Sequence, residues 1–299
     1  MNTPLEATPA SHLSVWLRAT RPATLLAGIV PVAVGTAMAA HDGSFGIGPA
    51  IACLVGALLL QIGCNFANDL FDFINGADDE NRVGPERMTQ KGHVSLRTMG
   101  IATAIAMGLA TITGLYLVWV AGWVVIAIGI SGILAGIFYT AGPKPLGYLG
   151  LGELLVFLFF GVIAVGGTYF VQTGTVTLSV LGLGASIGWL ASAILVVNNL
   201  RDRHTDVKVG KRTLAVRFGA TFSRYEYVAL LLLAYIPPCV LALQNDHIGV
   251  LLVLLSLPLA YGTCRQLFEV DGSMLNPLLG KTARLEAAFG LLFVVGVLI

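Results

Sequence analysis

Two clusters of carboxylate and amide side chains stand in an otherwise apolar chain, and their spacing suits the binding of a metal ion. The oxygen-bearing residues are Asn68, Asp69 and Asp72 in the first cluster, and Asn199, Asp202 and Asp206 in the second. Residues three or four apart lie on one face of a helix, so each cluster offers a row of oxygens. Like charges at this spacing repel each other, and a bound cation would remove that repulsion. Oxygen ligands favour a hard ion such as Mg²⁺ over zinc.

Basic residues accompany both clusters. They are Arg82, Arg87, Lys91, Arg201, Lys211 and Arg212. Arginine and lysine donate hydrogen bonds to phosphate, and Mg²⁺ in proteins commonly joins a few carboxylates to substrate phosphate oxygens. Carboxylates alone would repel a diphosphate, whereas carboxylates with a metal and cations would bind it. The alternative for any single arginine or lysine is a charge that sets membrane topology.

The composition predicts an all-α polytopic membrane protein with a single domain over residues 1–299. Of the 299 residues, 56% are hydrophobic and 11% are charged, whereas a soluble domain has about a quarter charged residues. A bilayer core requires about 20 apolar residues per helix. This rule predicts about nine transmembrane helices, at 22–40, 48–70, 97–118, 120–140, 151–172, 177–199, 223–243, 247–264 and 282–299. The third and fourth are so close that eight remains an alternative count.

The basic residues also predict the orientation of the chain. With nine spans, all 17 lysines and arginines lie in the N-terminal segment or in loops on one side. The positive-inside rule places that side, with both polar clusters and the segment 1–20, in the cytoplasm. We therefore expect a multi-pass protein of the cell inner membrane, with the lipid bilayer and no nucleic acid among its partners. Residues 13–20 suit either a short amphipathic helix on the membrane or a disordered tail.

The motifs in these regions resemble those of the UbiA-type intramembrane aromatic prenyltransferases. The segment NDLFD is followed by RVGPERMTQKGHVS, and NNLRDRHTDVKVGKRTLAVRFG comes later. The segments at 21–37 and 139–170 are also similar to that family, so the likeness extends to about residue 225. The usual first motif, NDxxDxxxD, has Gly76 here at its last position. The branch of the family that acts on 1,4-dihydroxy-2-naphthoate is similar in having a glycine at this position and an aspartate shortly after it.

The resemblance implies a UbiA-type helical bundle that moves a polyprenyl group from polyprenyl diphosphate to 1,4-dihydroxy-2-naphthoate. Diphosphate and CO₂ leave, and the product is demethylmenaquinol, a step of menaquinone biosynthesis. By the same resemblance, Mg²⁺ is held by Asn68, Asp72, Asp78, Asp202 and Asp206, and Asp69 belongs to the catalytic set. Whether Asp78 or Asp79 is the ligand stays open.

The resemblance also implies roles for residues around the metal. The expected diphosphate contacts are Arg87, Lys91, Arg201 and Lys211, and the expected acceptor contacts are Tyr139, Lys144 and Glu153. Two roles are open for Glu153: it orients the acceptor hydroxyls, or it is a carboxylate at a helix N-terminus that interacts favourably with the helix dipole. Tyr139, Phe157 and Tyr169 are aromatic candidates to face the allylic carbocation, although membrane aromatics more often serve packing.

Two other functions stay open from the sequence. A sister enzyme would prenylate 4-hydroxybenzoate or homogentisate. A transporter would place its ion and substrate sites near the bilayer midplane, whereas these carboxylates lie at helix ends. We also expect Asp72→Ala and Asp202→Ala to leave a folded but nearly inactive protein, because each would remove a ligand near the interface and no core contact.

Overall fold

The computed structural model describes residues 11–77, 83–245 and 248–299, and all regular structure in these ranges is helical. The principal helices are α1 (His12–Ala19), α2 (Pro22–His41), α3 (Ile47–Ile74), α4 (Leu96–Ala121), α5 (Val124–Phe138), α6 (Gly152–Thr173), α7 (Leu178–Lys208), α8 (Leu214–Asn245), α9 (Ile248–Glu269) and α10 (Asn276–Leu298). A π-helical segment, Phe157–Val162, lies within α6, and α9 begins with the 3₁₀ segment Ile248–Ser256. The predicted all-α architecture is confirmed.

The predicted membrane spans match the helices. Within the described ranges, seven helices are long and apolar enough to cross a bilayer: α2, α3, α4, α6, α7, α8 and α9. The 15-residue α5 and the 23-residue α10 correspond to the other two predicted spans. Some boundaries differ. The last span was predicted from residue 282 but its helix begins at Asn276, because polar residues there continue the helix beyond its apolar part. In α8 the backbone leaves the helical conformation at Gly219, where φ is +83° and ψ is 178°, so the long helix of the seventh span starts after this kink, close to the predicted residue 223.

Residues 12–19 of the N-terminal segment form a helix that packs against the bundle. Ser11 caps α1 by accepting a hydrogen bond from the Ser14 amide at 3.3 Å, as N-cap serines commonly do. Val15 is buried, and the Trp16 ring meets the Phe66 ring of α3 edge-on, with centroids 5.6 Å apart. Of the two alternatives for this segment, the structure has the helix.

Helix α7 runs through the centre of the bundle and is the most buried of the apolar spans. Its core side chains include Leu183, Ile187 and Leu190. A Cβ atom on Gly161 of α6 would overlap the backbone of Gly184 and Gly188 of α7. In lipid the hydrophobic effect does little to drive helix association, so helices associate through van der Waals packing at close backbone contacts such as this one. The contact fixes α7, and therefore its C-terminal end, relative to α6.

The two helices that hold the polar clusters are longer than a bilayer core requires. Helix α3 has 28 residues and α7 has 31, which is about 42 Å and 46 Å of helix. The hydrocarbon core is about 30 Å thick. Each helix can therefore span it and still carry its polar cluster in the last turns, outside the most apolar region.

Candidate active site

Residues of both polar clusters line the same cavity between the helices, which has a volume of about 1000 Å³. The predicted metal and diphosphate residues found in its wall are Asn68, Asp72, Arg87, Arg201, Asp202, Asp206 and Lys211. Elsewhere the wall is mainly apolar, with small residues of α4 and α5 and the aromatic residues Phe159 and Phe160. The cavity thus has a charged end and a long apolar extension.

The two clusters end their helices in the same way. After α3, the Ala77 amide donates to the Asp72 carbonyl at 2.8 Å, and Gly76 has a φ of +71°. After α7, the Lys211 amide donates to the Asp206 carbonyl at 2.9 Å, and Gly210 has a φ of +75°. Both are Schellman endings, in which glycine takes the left-handed position without strain. This geometry gives a local reason for glycine at position 76.

In the first cluster, Asp72 binds two groups from other segments. Its Oδ2 accepts from Arg87 Nη2 at 3.1 Å, and its Oδ1 accepts from the Tyr148 hydroxyl at 3.4 Å. Asn68 accepts from the Thr140 hydroxyl at 3.1 Å. Since Arg87 is buried, the pair with Asp72 holds a cation inside the cavity wall.

In the second cluster, Arg201 and Asp202 form a two-point ion pair. Nε and Nη2 of Arg201 donate to the two oxygens of Asp202 at 2.7 Å and 2.6 Å, and the arginine side chain is 1% exposed. Asp206 Oδ1 lies 3.5 Å from Lys211 Nζ. The other oxygen of Asp206 is buried and has no hydrogen-bond partner among the described residues.

Lys211 is the cation shared by both clusters. Burial lowers the pKa of Lys211, but nearby groups, first the carboxylates of Asp206 and Asp72, raise it by more in total. The net pKa therefore lies above the ordinary lysine value. The ammonium also lies over the Tyr148 ring, 5.6 Å from its centroid, a cation–π distance. Burial and then Asp72 raise the pKa of the Tyr148 hydroxyl. The lysine is therefore charged and the tyrosine neutral at physiological pH.

The residues present fit a hard divalent ion. Asp206 Oδ2 is an unsatisfied buried carboxylate oxygen beside the carboxylate of Asp202, and buried charges normally have partners. Among the described residues, no three His, Cys, Asp or Glu side chains converge on one metal position. An ion here would thus take its remaining ligands from water and a phosphate-bearing ligand, which is how Mg²⁺ usually binds.

A comparison with known families decides the assignment of the chain. The profile of the UbiA prenyltransferase family matches residues 28–273. The chain belongs to this family. The resemblance predicted from the motifs is thereby confirmed.

Among curated relatives of this UbiA family member, the 1,4-dihydroxy-2-naphthoate octaprenyltransferase of Escherichia coli (strain K12) is 36% identical over 297 residues, 96% of each chain. The protein of the same name from Haemophilus influenzae is 34% identical over 301 residues, also 96% of each. The structure of a UbiA homolog from Archaeoglobus fulgidus bound to DMAPP and Mg²⁺ superposes with a TM-score of 0.64 at 17% identity, covering 94% of this chain and 99% of that one. The UbiA-type bundle is thus shared across most of the chain.

Three residues of the predicted catalytic, metal and diphosphate sets lie outside the cavity wall or outside the described ranges. Both oxygens of Asp69 accept backbone hydrogen bonds, from the Met88 and Thr89 amides at 3.0 Å each. Asp69 is 2% exposed and does not line the cavity, so in this UbiA family member it anchors the loop that carries Arg87. Lys91 is exposed and also lies outside the wall. Asp78, with the alternative Asp79, falls outside the described residues.

The predicted acceptor residues lie in three different places. Tyr139 lines the main cavity. Glu153 does not: it is buried, and its Oε1 accepts from Asn199 Nδ2 at 2.8 Å, which ties α6 to α7. Lys144 lines a second cavity of about 530 Å³ together with Asn75 and Arg212. Tyr148 lines both cavities and lies between them.

The aromatic candidates Phe157 and Tyr169 also lie outside the main cavity. The Phe157 ring packs on Trp189 with centroids 5.7 Å apart, and the Tyr169 hydroxyl binds Asp42. The phenylalanines in the wall are instead Phe159 and Phe160, which lie in the predicted span 151–172 but were not predicted as site residues.

The wall also contains polar residues that were not predicted as site residues, among them Tyr148, Asn198 and Asn276. Tyr148 and Asn198 fall within motifs that resemble the family, so their position in those motifs was a signal from which they could have been predicted as site residues. Asn276 begins α10, where the sequence offered only hydrophobicity, and no local signal distinguishes it.

Proposed function

We propose that this protein transfers a polyprenyl group from polyprenyl diphosphate to 1,4-dihydroxy-2-naphthoate. The observation that carries the proposal is the single cavity that joins both polar clusters to a long apolar wall. A polyprenyl diphosphate has the same two parts, an anionic head and an apolar tail. The names and full-length similarity of the bacterial relatives support naphthoate as the acceptor.

The charged end of the cavity would bind the diphosphate. Arg87, Arg201 and Lys211 place their cationic groups in the wall, where arginine and lysine can donate to phosphate oxygens. Asn68, Asp72, Asp202 and Asp206 would hold Mg²⁺, with Asp78 as the further ligand expected from the motif. Bound Mg²⁺ would neutralise charge on the leaving diphosphate.

The apolar wall would protect the allylic group from water. When the carbon–oxygen bond of the prenyl diphosphate breaks, its electron pair leaves with the diphosphate and the allylic carbon becomes electron-poor. Phe159, Phe160 and Ile163 line this region, and a wall that excludes water prevents hydrolysis of such a species. Tyr139 lies in the same wall, and the face of an aromatic ring attracts positive charge.

The acceptor ring would then attack at the carbon that bears its carboxylate. A carbon–carbon bond forms to the prenyl group, the bond to the carboxylate breaks, and CO₂ leaves while its electron pair returns to the ring. Lys144 and Arg212 in the second cavity would draw the acceptor carboxylate towards Tyr148. Glu153 would act on α7 through Asn199 and would not touch the acceptor.

We place the site at the cytoplasmic face of the cell inner membrane. All 17 lysines and arginines fall on one side of the predicted spans, and this bias sets topology in bacterial membranes. The position of both clusters at the C-terminal ends of α3 and α7 is consistent with a water-soluble acceptor that approaches from the cytoplasm.

A competition between acceptors tests the proposed activity. The purified protein in detergent is given one polyprenyl diphosphate with an equimolar mixture of 1,4-dihydroxy-2-naphthoate and 4-hydroxybenzoate. We expect only the naphthoate to be consumed, with release of CO₂. Prenylated 4-hydroxybenzoate that retains its carboxyl group would contradict the acceptor assignment.

A further inference from the structure

Asn276 joins the C-terminal helix to both sides of the charged end of the cavity. It is the first residue of α10, and its side chain lines the cavity. Its Oδ1 accepts from Arg201 Nη1 at 3.0 Å, and its Nδ2 donates to the Val83 carbonyl at 3.0 Å. One amide group therefore bridges α7 and the segment that follows the first polar cluster.

The first contact restrains Arg201. This guanidinium is almost fully buried, and it also donates to Asn198 at 2.8 Å and to both oxygens of Asp202. Asn198 and Asn276 fix the plane of the guanidinium from two sides. That plane fixes the direction in which the Asp202 carboxylate points, because a two-point pair is planar.

The second contact restrains the segment after α3. Val83 is the first residue described after residues 78–82, and Arg87, the partner of Asp72, follows four positions later. The hydrogen bond to Asn276 thus holds the start of this segment beside α10. The same segment is held further along by the two amides that donate to Asp69.

We propose that Asn276 is a positioning residue for the diphosphate site, an inference that rests on the proposed function. It aligns Asp202 through Arg201 and holds the loop of Arg87 through Val83, so docking of α10 and binding of the diphosphate are coupled. The amide makes both contacts because it accepts and donates at once, whereas aspartate lacks the N–H and leucine lacks both groups.

The experiment measures binding without turnover. Mn²⁺, as a paramagnetic probe, is titrated by electron paramagnetic resonance into purified protein with geranyl S-thiolodiphosphate, an analogue that does not ionise readily. We expect Asn276→Leu to weaken Mn²⁺ binding about 10- to 100-fold, the range found when groups that orient metal ligands are removed. Asn276→Asp keeps the Arg201 contact and loses the Val83 contact, so we expect a smaller loss. In turnover, the KM for the prenyl diphosphate rises and the KM for the acceptor does not.

The matched control is Asp271→Asn. Asp271 precedes α10 and pairs with Arg203 of α7 at 2.6 Å and 2.7 Å, so it joins the same two segments without touching the cavity. We expect this variant to bind Mn²⁺ and the analogue like the wild type. If Asn276→Leu and Asn276→Asp bind Mn²⁺ as tightly as the wild type, or lose only thermal stability to the same extent as Asp271→Asn, the inference fails and the proposed function stands. If the wild type itself does not bind the analogue, the proposed function fails with it.

Discussion

Asp72 and Asp206 occupy equivalent positions at the ends of two different helices, because the carbonyl of each accepts the amide hydrogen bond that closes a Schellman ending. Both side chains line the same cavity, and the ammonium group of Lys211 interacts electrostatically with both carboxylates. Matching ends on α3 and α7 bring the two carboxylates to one site from opposite sides. The correspondence between the two polar clusters is therefore one of three-dimensional position as well as residue type.

Asp202 and Asp206 have the same predicted role as metal ligands, but their ion pairs in the structure differ. We expect Asp206→Asn to abolish activity with little change in Tm, because Lys211 lies as far as 3.5 Å away. Asp202→Asn should abolish activity and also lower Tm, since it weakens the carboxylate that pairs with the buried Arg201. Removing one member of a buried ion pair costs about 3 to 5 kcal/mol. Thermal unfolding in detergent, beside product formation, checks both.

The same contact revises the expectation for alanine variants. Asp202 was predicted to be a ligand with no core contact, but its carboxylate neutralises a guanidinium that is 1% exposed. Asp202→Ala should therefore be less stable than Asp206→Ala. Full activity in either asparagine variant would contradict their role in binding the diphosphate.

Asp69 is expected to affect the loop and not the metal. Asp69→Asn keeps one acceptor oxygen for the Met88 and Thr89 amides, and Asp69→Ala keeps none. We expect faster tryptic cleavage after Lys91 in the alanine variant, with an intermediate rate in the asparagine variant. The Mg²⁺ concentration for half-maximal activity should stay near that of the wild type. A large rise in that concentration, with unchanged cleavage, would instead make Asp69 a metal ligand.

The sequence predicted well those features that depend on local spacing. Apolar runs of bilayer length marked the membrane helices, since few other arrangements tolerate them. The spacing of Asp72 from Asn68, and of Asp206 from Asp202, placed each pair on one helix face. Those four side chains all line the cavity. Helix periodicity is sufficient for such a prediction because it requires no knowledge of how helices pack.

Contacts between distant segments could not be predicted in this way. Asp69 resembles Asp72 in type and position, but only the folded loop shows that its oxygens meet backbone amides. Asn276 contacts Val83 across 193 positions of the chain, and neither residue has a neighbour that signals the contact. Glu153 was predicted to contact the acceptor, and its hydrogen bond from Asn199 of α7 could not be foreseen from its sequence neighbours.

Substitution of Lys144 tests binding of the acceptor in the second cavity, and substitution of Lys91 is the control. Both are exposed lysines in loops, but Lys144 lines the second cavity and Lys91 lines neither cavity. We expect Lys144→Ala to raise the KM for naphthoate by up to about fivefold, the size of one exposed ion pair, with kcat unchanged. Lys91→Ala should leave both constants unaltered. Equal effects of the two substitutions would argue against acceptor capture in the second cavity.

Gly76 is expected to be required for its backbone conformation. A Cβ atom there would meet no other group within 4 Å, but the φ of +71° disfavours any side chain. Gly76→Ala should destabilise the protein by about 1 to 2 kcal/mol and lower activity by shifting the end of α3. The control is Gly108→Ala on α4, where a Cβ also meets nothing within 4 Å and the helix is regular. If the two variants unfold at the same temperature, the Schellman ending does not explain the glycine.

The most direct test of the account is mass spectrometry of the products formed by the purified protein from a polyprenyl diphosphate and 1,4-dihydroxy-2-naphthoate, with Mg²⁺ or with EDTA. We predict a product whose mass equals that of the naphthoate plus the prenyl group minus CO₂. It should form with Mg²⁺, disappear with EDTA, return when Mg²⁺ is restored, and be absent with Asp206→Asn. A product that forms equally well in EDTA, or no prenylated product from folded protein, would contradict the claim that the two polar clusters form one metal-dependent diphosphate site.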